Sequence, residues 1–326
     1  MLLAGFDQLW RPVEAARANV YFFMHIAKAG GQAFADDLGK NSQLGPSAGY
    51  VSCGALHIMH VGNRSFVNCT KYLYEKKRGC NLYACEGNLL DNLRLIRGRL
   101  APTANVRTLV LVREPEALIL SEYAHCQQDG AGGQRYHRYP QIELSAWVQL
   151  WAQGHANTAR KYCGYHANNP QTYALSSYKS TPDVVDPALG GGRAWQPAAL
   201  KQARQVVDEA HVVGVTGAYT ASLCLALLRG PTQLSWRALA ERGCHYDHSP
   251  LEGSSGAAAA GPLAHQTTGR SLRSSHGTHT SAIGIDGATR DRIRSLTWMD
   301  ELLYARALAR LEKDLEVLGW ECLLAR

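Results

Sequence analysis

Two short stretches of this chain carry residues whose types and spacing could do chemistry on an anion. The first is His25-Ile-Ala-Lys28-Ala29-Gly30-Gly31-Gln32-Ala33, which follows Val20-Tyr21-Phe22-Phe23-Met24. That β-branched and aromatic run predicts a buried parallel strand. From Gln32 to Leu38 the apolar positions fall at helical spacing. A strand, a turn and a helix in that order aim backbone N–H groups and the positive end of a helix dipole at one point. The glycines let the backbone approach a phosphate, and Lys28 adds a mobile charge. The order is not that of an ATPase loop, because Lys28 precedes both glycines and no Ser or Thr follows it.

The second stretch begins with Thr108-Leu-Val-Leu-Val112, another predicted buried strand, and runs on through Arg113-Glu114-Pro115 into a helical pattern. Ser121 stands eight residues after Arg113. An arginine at a strand end and a serine two turns into the next helix can reach one phosphate from two sides. The guanidinium supplies a planar, permanently charged fork, and the hydroxyl completes the shell. Pro115 suits a first helical turn.

Together these stretches resemble the Golgi-type carbohydrate sulfotransferases, whose sulfuryl donor is 3′-phosphoadenosine 5′-phosphosulfate (PAPS). The first is similar to their phosphosulfate loop, His-Ile-Pro-Lys-Thr-Gly-Gly-Thr, and departs from it at Ala27, Ala29 and Gln32. The second is similar to their 3′-phosphate site, with Glu114 for Asp and Leu118 at a commonly basic position. Three further segments match by position more than by residue. These are Asn168 to Leu175, Val213-Gly-Val-Thr216 with the helix after it, and the loop that ends in His276-Gly277-Thr278. The resemblance implies a P-loop-like three-layer fold and donor contacts from Lys28 to Ala33, Arg113, Ser121 and His276 to Thr278. It also implies a hydroxyl acceptor on a glycan or polysaccharide. A small-molecule alcohol as acceptor, or a weakly active relative that binds PAP or glycan, stays open.

Sulfuryl transfer to a hydroxyl needs a base, and charge builds on the phosphate oxygen that leaves sulfur. Lys28 is placed to stabilise that oxygen. Glu86 follows the strand-like Asn81-Leu-Tyr-Ala-Cys85 and is the preferred base. Relatives that act on the 3-hydroxyl of heparan glucosamine carry a Glu at a similar place. His57, in Ser52-Cys-Gly-Ala-Leu-His57, resembles a segment of the heparan 6-O-sulfotransferases and is the competing base, with His60 third. His25 is expected to be structural, its ring beside the loop. A kinase reading would need a hydroxyl after the loop lysine and a carboxylate for magnesium, and the loop offers neither.

The elements that must position these residues alternate. Strands are expected at 20–24, 81–85, 108–112 and 211–216. Helices are expected at 89–100, 142–153, 197–210, 219–229 and, as one long element, about 289–318. Such alternation implies a parallel sheet with helices on its faces, which binds ligands beyond the carboxyl ends of its strands. Residues 1–19 read as an N-terminal extension and 20–326 as one domain, with a Cys-rich insertion around 51–80 and a flexible loop around 250–275. Glycine-rich stretches at 129–133, 190–192 and 253–261 read as loops.

Composition narrows the partners. Lys and Arg number 34 against 27 Asp and Glu, a net +7 that suits an anionic donor and an acidic glycan. No basic run, RNP-like pattern or zinc finger points to nucleic acid. The nine cysteines include no Cys-x-x-Cys pair, which argues against zinc. Cys53, Cys69, Cys80 and Cys85, with glycosylation sequons at Asn63 and Asn68, suggest a disulfide-stapled insertion in a luminal compartment, which the resemblance implies is the Golgi lumen. No stretch reads as a transmembrane segment, and Asp7 and Arg11 interrupt the apolar start. The sulfotransferases it resembles normally carry an N-terminal anchor; a luminal fragment, an incomplete gene sequence and a soluble member all stay open.

Overall fold

Five parallel strands form the centre of this computed structural model, in the order β2-β3-β1-β4-β5. The structure describes residues 18–40, 50, 52–56, 81–86, 89–100, 104–127, 139–177, 196–231 and 284–319. The strands are β1 (Ala18–His25), β2 (Ser52–Leu56), β3 (Leu82–Glu86), β4 (Ala104–Val112) and β5 (Val212–Val215). In β1, Tyr21, Phe22, Phe23 and Met24 are each at most 1% exposed. Successive side chains on a strand point to opposite faces, so such a run requires helices on both sides of the sheet. This is a three-layer α/β arrangement.

One layer includes α1 (Gly31–Lys40) and α8 (Tyr219–Leu228). Phe34 of α1 meets Phe23 of β1 at 5.3 Å between ring centroids, and Tyr219 of α8 meets Phe34 at 5.9 Å. The Tyr219 hydroxyl then donates to Asp37 at 2.6 Å, locking the two helices together. Helix α2 (Leu89–Leu100) packs across β3, β1 and β4, while α7 (Gln196–Glu209) and α10 (Trp298–Glu316) pack on each other and α10 on β5.

A second core gathers around Trp147 and Trp151 of α4 (Leu144–Ala152). It includes residues of α3 (Pro115–Gln127), α5 (Ala156–Tyr162) and α9 (Gly287–Leu296). The disulfide Cys126–Cys163 closes a 37-residue span within it. On loop-closure entropy alone such a cross-link stabilises by about 4 kcal/mol. Cys224 is also disulfide-bonded. Of the cysteines expected to staple an insertion, Cys53 lies on β2 and Cys85 on β3, while Cys69 and Cys80 lie outside the described residues.

The elements depart from expectation in two places. Residues 52–56, at the start of the expected insertion, form an edge strand of the sheet. Their Ser-Cys-Gly-Ala-Leu composition lacks the bulky run that marked the other strands. The long helix expected at 289–318 is two helices, α9 and α10, divided at Thr297. The reason is a cap from a distant part of the chain. Asn169 Oδ1 accepts from the N–H groups of Met299 at 2.8 Å and Asp300 at 3.2 Å, satisfying the opening donors of α10.

The loops at 129–133, 190–192 and 253–261, the N-terminal extension and both sequons lie outside the described residues. Among the described residues, no helix is long and apolar enough to cross a membrane.

Candidate functional site

All five strands run the same way, so their carboxyl ends share one edge of the sheet. The anion-binding candidates stand on that edge. The loop from Ala27 to Gly30 leaves β1, Arg113 leaves β4, and Thr216 leaves β5. Glu86 is the last residue of β3, in register with His25 on β1. Leu56 ends β2 beside Cys85, and the next residue, His57, lies outside the described residues. So do His60, His276, Gly277 and Thr278.

The loop owes its shape to two left-handed residues. Gly30 has φ +80° and Lys28 has φ +58°. For a non-glycine residue that region costs roughly 1–2 kcal/mol, so the surroundings must hold Lys28 in place. The Lys28 carbonyl accepts from Arg113 Nη1 at 2.9 Å. The next carbonyl, of buried Ala29, accepts from Thr216 Oγ1 at 2.6 Å, and the same hydroxyl lies 3.1 Å from the Val112 carbonyl. Three strand ends are thereby fastened around one turn.

The two glycines have separate reasons. A Cβ on Gly30 would come within 3.4 Å of Thr216 Cγ2, on a backbone that already disfavours L side chains. A Cβ on Gly31 would run into the His25 ring, which lies flat against Phe23 at 5.9 Å. His25 is thus a packing residue, as expected, and it is what requires glycine at position 31.

Helix α1 begins with Phe34 N–H on the Gly30 carbonyl at 3.1 Å. The N–H groups of Gly31, Gln32 and Ala33 precede that bond and have no acceptor within α1. No acidic residue stands in this first turn. The start of α3 is the opposite case. Glu114 accepts from Glu116 N at 3.1 Å and Ala117 N at 2.6 Å, so a carboxylate already caps that helix. Of these two helix starts on the edge, α1 is the one without an acidic residue in its opening turn.

Arg113 is half-buried. Burial lowers its pKa, and the carboxylates of Glu114 and Glu122 oppose that shift. A guanidinium keeps its charge through such changes. Its backbone is held on both sides by Gln171, which accepts from Arg113 N at 2.8 Å and donates to Arg113 O at 2.7 Å. Ser121 is only 5% exposed, two turns into α3. Leu118, at the commonly basic position, is fully buried in the core and has no room for a charge.

Sequence reasoning passed over three residues that build this site: Thr216, Gln171 and Asp300. The first two lie in segments that match by position more than by residue, and nothing local to Asp300 marks it. Among the described residues, no His, Cys, Asp and Glu cluster could hold a metal ion. Comparison with family models, curated proteins and solved structures yields no match for this chain.

Proposed function

We propose that this chain is a PAPS-dependent sulfotransferase, with a P-loop-like three-layer fold, acting on a hydroxyl of a glycan or polysaccharide. One observation carries the reading. The two stretches that resemble the family's phosphate motifs are joined by the Arg113–Lys28 hydrogen bond, across 85 residues of chain, at the carboxyl edge of a parallel sheet. Ligands of such sheets bind there.

The residues present fit an anionic donor. Gly31, Gln32 and Ala33 offer N–H groups at a helix start with no acidic residue in its first turn, where a phosphate is favoured. With Nη1 on Lys28, the Arg113 guanidinium retains its other donors for a second phosphate. Ser121, being buried, makes the smaller contribution of that pair. PAPS, when bound, supplies the sulfuryl group and leaves as PAP. Lys28 neutralises charge on the departing phosphate oxygen, and Glu86 accepts the proton of the acceptor hydroxyl. The net charge of +7 suits an acidic polysaccharide, and the Cys126–Cys163 disulfide suits a luminal, oxidising compartment.

Differential thermal stabilisation tests the donor. PAP at about a hundred times its Kd adds about 2.7 kcal/mol to stability, and ATP at the same concentration adds little. Equal shifts from both, or none from PAP, would remove the donor assignment. Transfer from radiolabelled PAPS to glycosaminoglycans, algal-type polysaccharides and simple alcohols then identifies the acceptor class.

A further inference from the structure

Arg113 stands just beyond the end of β4, where the sheet no longer supplies neighbours for its backbone. Gln171 takes that place. Its fully buried side-chain amide pairs with both the N–H and the carbonyl of Arg113, as an adjacent strand would. The two opposed bonds leave only one orientation of the amide.

Gln171 is itself locked from behind. Its N–H donates to Asp300 Oδ2 at 3.0 Å. Thr172 donates to Asp300 Oδ1 through both N–H and Oγ1, each at 2.7 Å. The arrangement is reciprocal. Asp300 caps the opening N–H groups of α6 (Pro170–Ala174), while Asn169, the residue before α6, caps those of α10 through Met299 and Asp300. Asn169, Gln171, Thr172 and Asp300 are all fully buried, so every one of these bonds is shielded from water. A rigid path therefore runs from the start of α10 through Gln171 to Arg113, and on through Nη1 to the Lys28 carbonyl of the loop.

We propose that Gln171, held by Asp300, is a positioning residue for the anion site, fixing Arg113 so that its guanidinium both ties the loop and faces the donor. The second half rests on the PAPS reading above; the first half does not. Removing the Gln171 amide leaves the Arg113 charge in place and frees its backbone, so the loss appears in phosphate binding and in loop order.

The test compares Gln171→Met and Gln171→Glu with wild type. Met removes both bonds, and Glu keeps an acceptor for Arg113 N–H while setting an anion against its carbonyl. Val148→Ala, in the second core, serves as a control for lost stability. PAP affinity is measured by calorimetry, well below the melting temperature, and hydrogen exchange is followed at the loop amides of residues 27–31. Both Gln171 variants should weaken PAP about tenfold, the low end for a weakened hydrogen bond between charged groups, and should speed loop exchange. Val148→Ala should do neither. In an Arg113→Ala background, Gln171→Met should add no further loss of affinity, since it acts through Arg113. Additive losses, or wild-type loop exchange in a folded Gln171 variant, would overturn the proposal. Faster loop exchange in a protein whose wild type does not bind PAP would uphold the clamp and discard the donor.

Discussion

Arg113 Nη1 lies 2.9 Å from the carbonyl oxygen of Lys28, a residue held at φ +58°. The charge proposed for one phosphate thus also restrains the backbone of the residue proposed for the other. Arg113 and Lys28 are accordingly not independent in mutation. Truncating the arginine removes one restraint on a lysine held in the left-handed region.

Lys28→Gly separates charge from shape. Glycine relieves the left-handed strain of roughly 1–2 kcal/mol and raises the entropy of the unfolded chain by a comparable amount. The melting temperature should therefore stay close to that of wild type, while sulfuryl transfer falls at least a hundredfold, on the scale of a lost charge-stabilising donor. Turnover at the wild-type rate under saturating PAPS would show that Lys28 only shapes the turn.

Gly31 and His25 make a paired test. Gly31→Ala should destabilise by about 1–3 kcal/mol, the usual cost of forcing a methyl group into a filled space. Adding His25→Ala removes the obstructing ring, so the double variant should recover part of the loss relative to the sum of the singles. Simple additivity in thermal or urea unfolding would mean that the ring is not what demands glycine.

Two titratable groups, His166 and Asp300, oppose each other in acid. His166 is pushed down to about 3 by burial and by Arg160, which hydrogen-bonds its ring. The unfolded chain takes up that proton near 6.5, so this contribution to stability is whole above pH 6.5 and is lost as pH falls toward 3. Asp300 is pushed up to about 6 by burial, against the hydrogen bonds from Thr172 and Gln171. Its contribution is whole below about 3.9, the unfolded value, and is lost as pH rises through 6. Between pH 4 and 6 each contributes a slope of about 1.4 kcal/mol per pH unit, with opposite signs. His166→Gln should therefore gain stability on acidification relative to wild type, and Asp300→Asn should lose it. Melting curves at pH 4, 5 and 6 check both, and parallel curves for all three proteins would contradict the assignment.

Glu86, beside His25 at the end of β3, is the candidate base on a described strand. Glu86→Gln should keep PAP affinity and abolish nearly all transfer, whereas His57→Ala should retain most of it. Reversal of that order, with the rate falling as pH drops through the histidine range, would assign the base to His57.

Much of the fold was legible because local composition and burial agree. Val20 to Met24 and Leu109 to Val112 are apolar without interruption, which in a parallel sheet means covered on both faces, and Tyr21 to Met24 and Leu109 to Val112 are buried. The helices at 89–100 and 219–228 likewise fall where periodicity put them. The edge strand β2 was not legible. Its small residues carry little signal, and its pairing with β3 is a long-range relationship.

The sequence alone determined which residues stand at strand ends: Lys28 after β1, Glu86 at the end of β3, Arg113 after β4. Strand periodicity and the glycine-rich turn are short-range properties, and they suffice to place a residue along the chain. Only the tertiary structure decided what holds those residues. Thr216 on Ala29, Gln171 on Arg113, and Asn169 and Asp300 capping each other's helices join segments from 58 to 187 residues apart. Each bond depends on how the strands are ordered and where α10 packs. Hydrogen-bond partners so distant leave no period or spacing in the chain, because any buried polar group can satisfy any other that the fold brings within 3 Å.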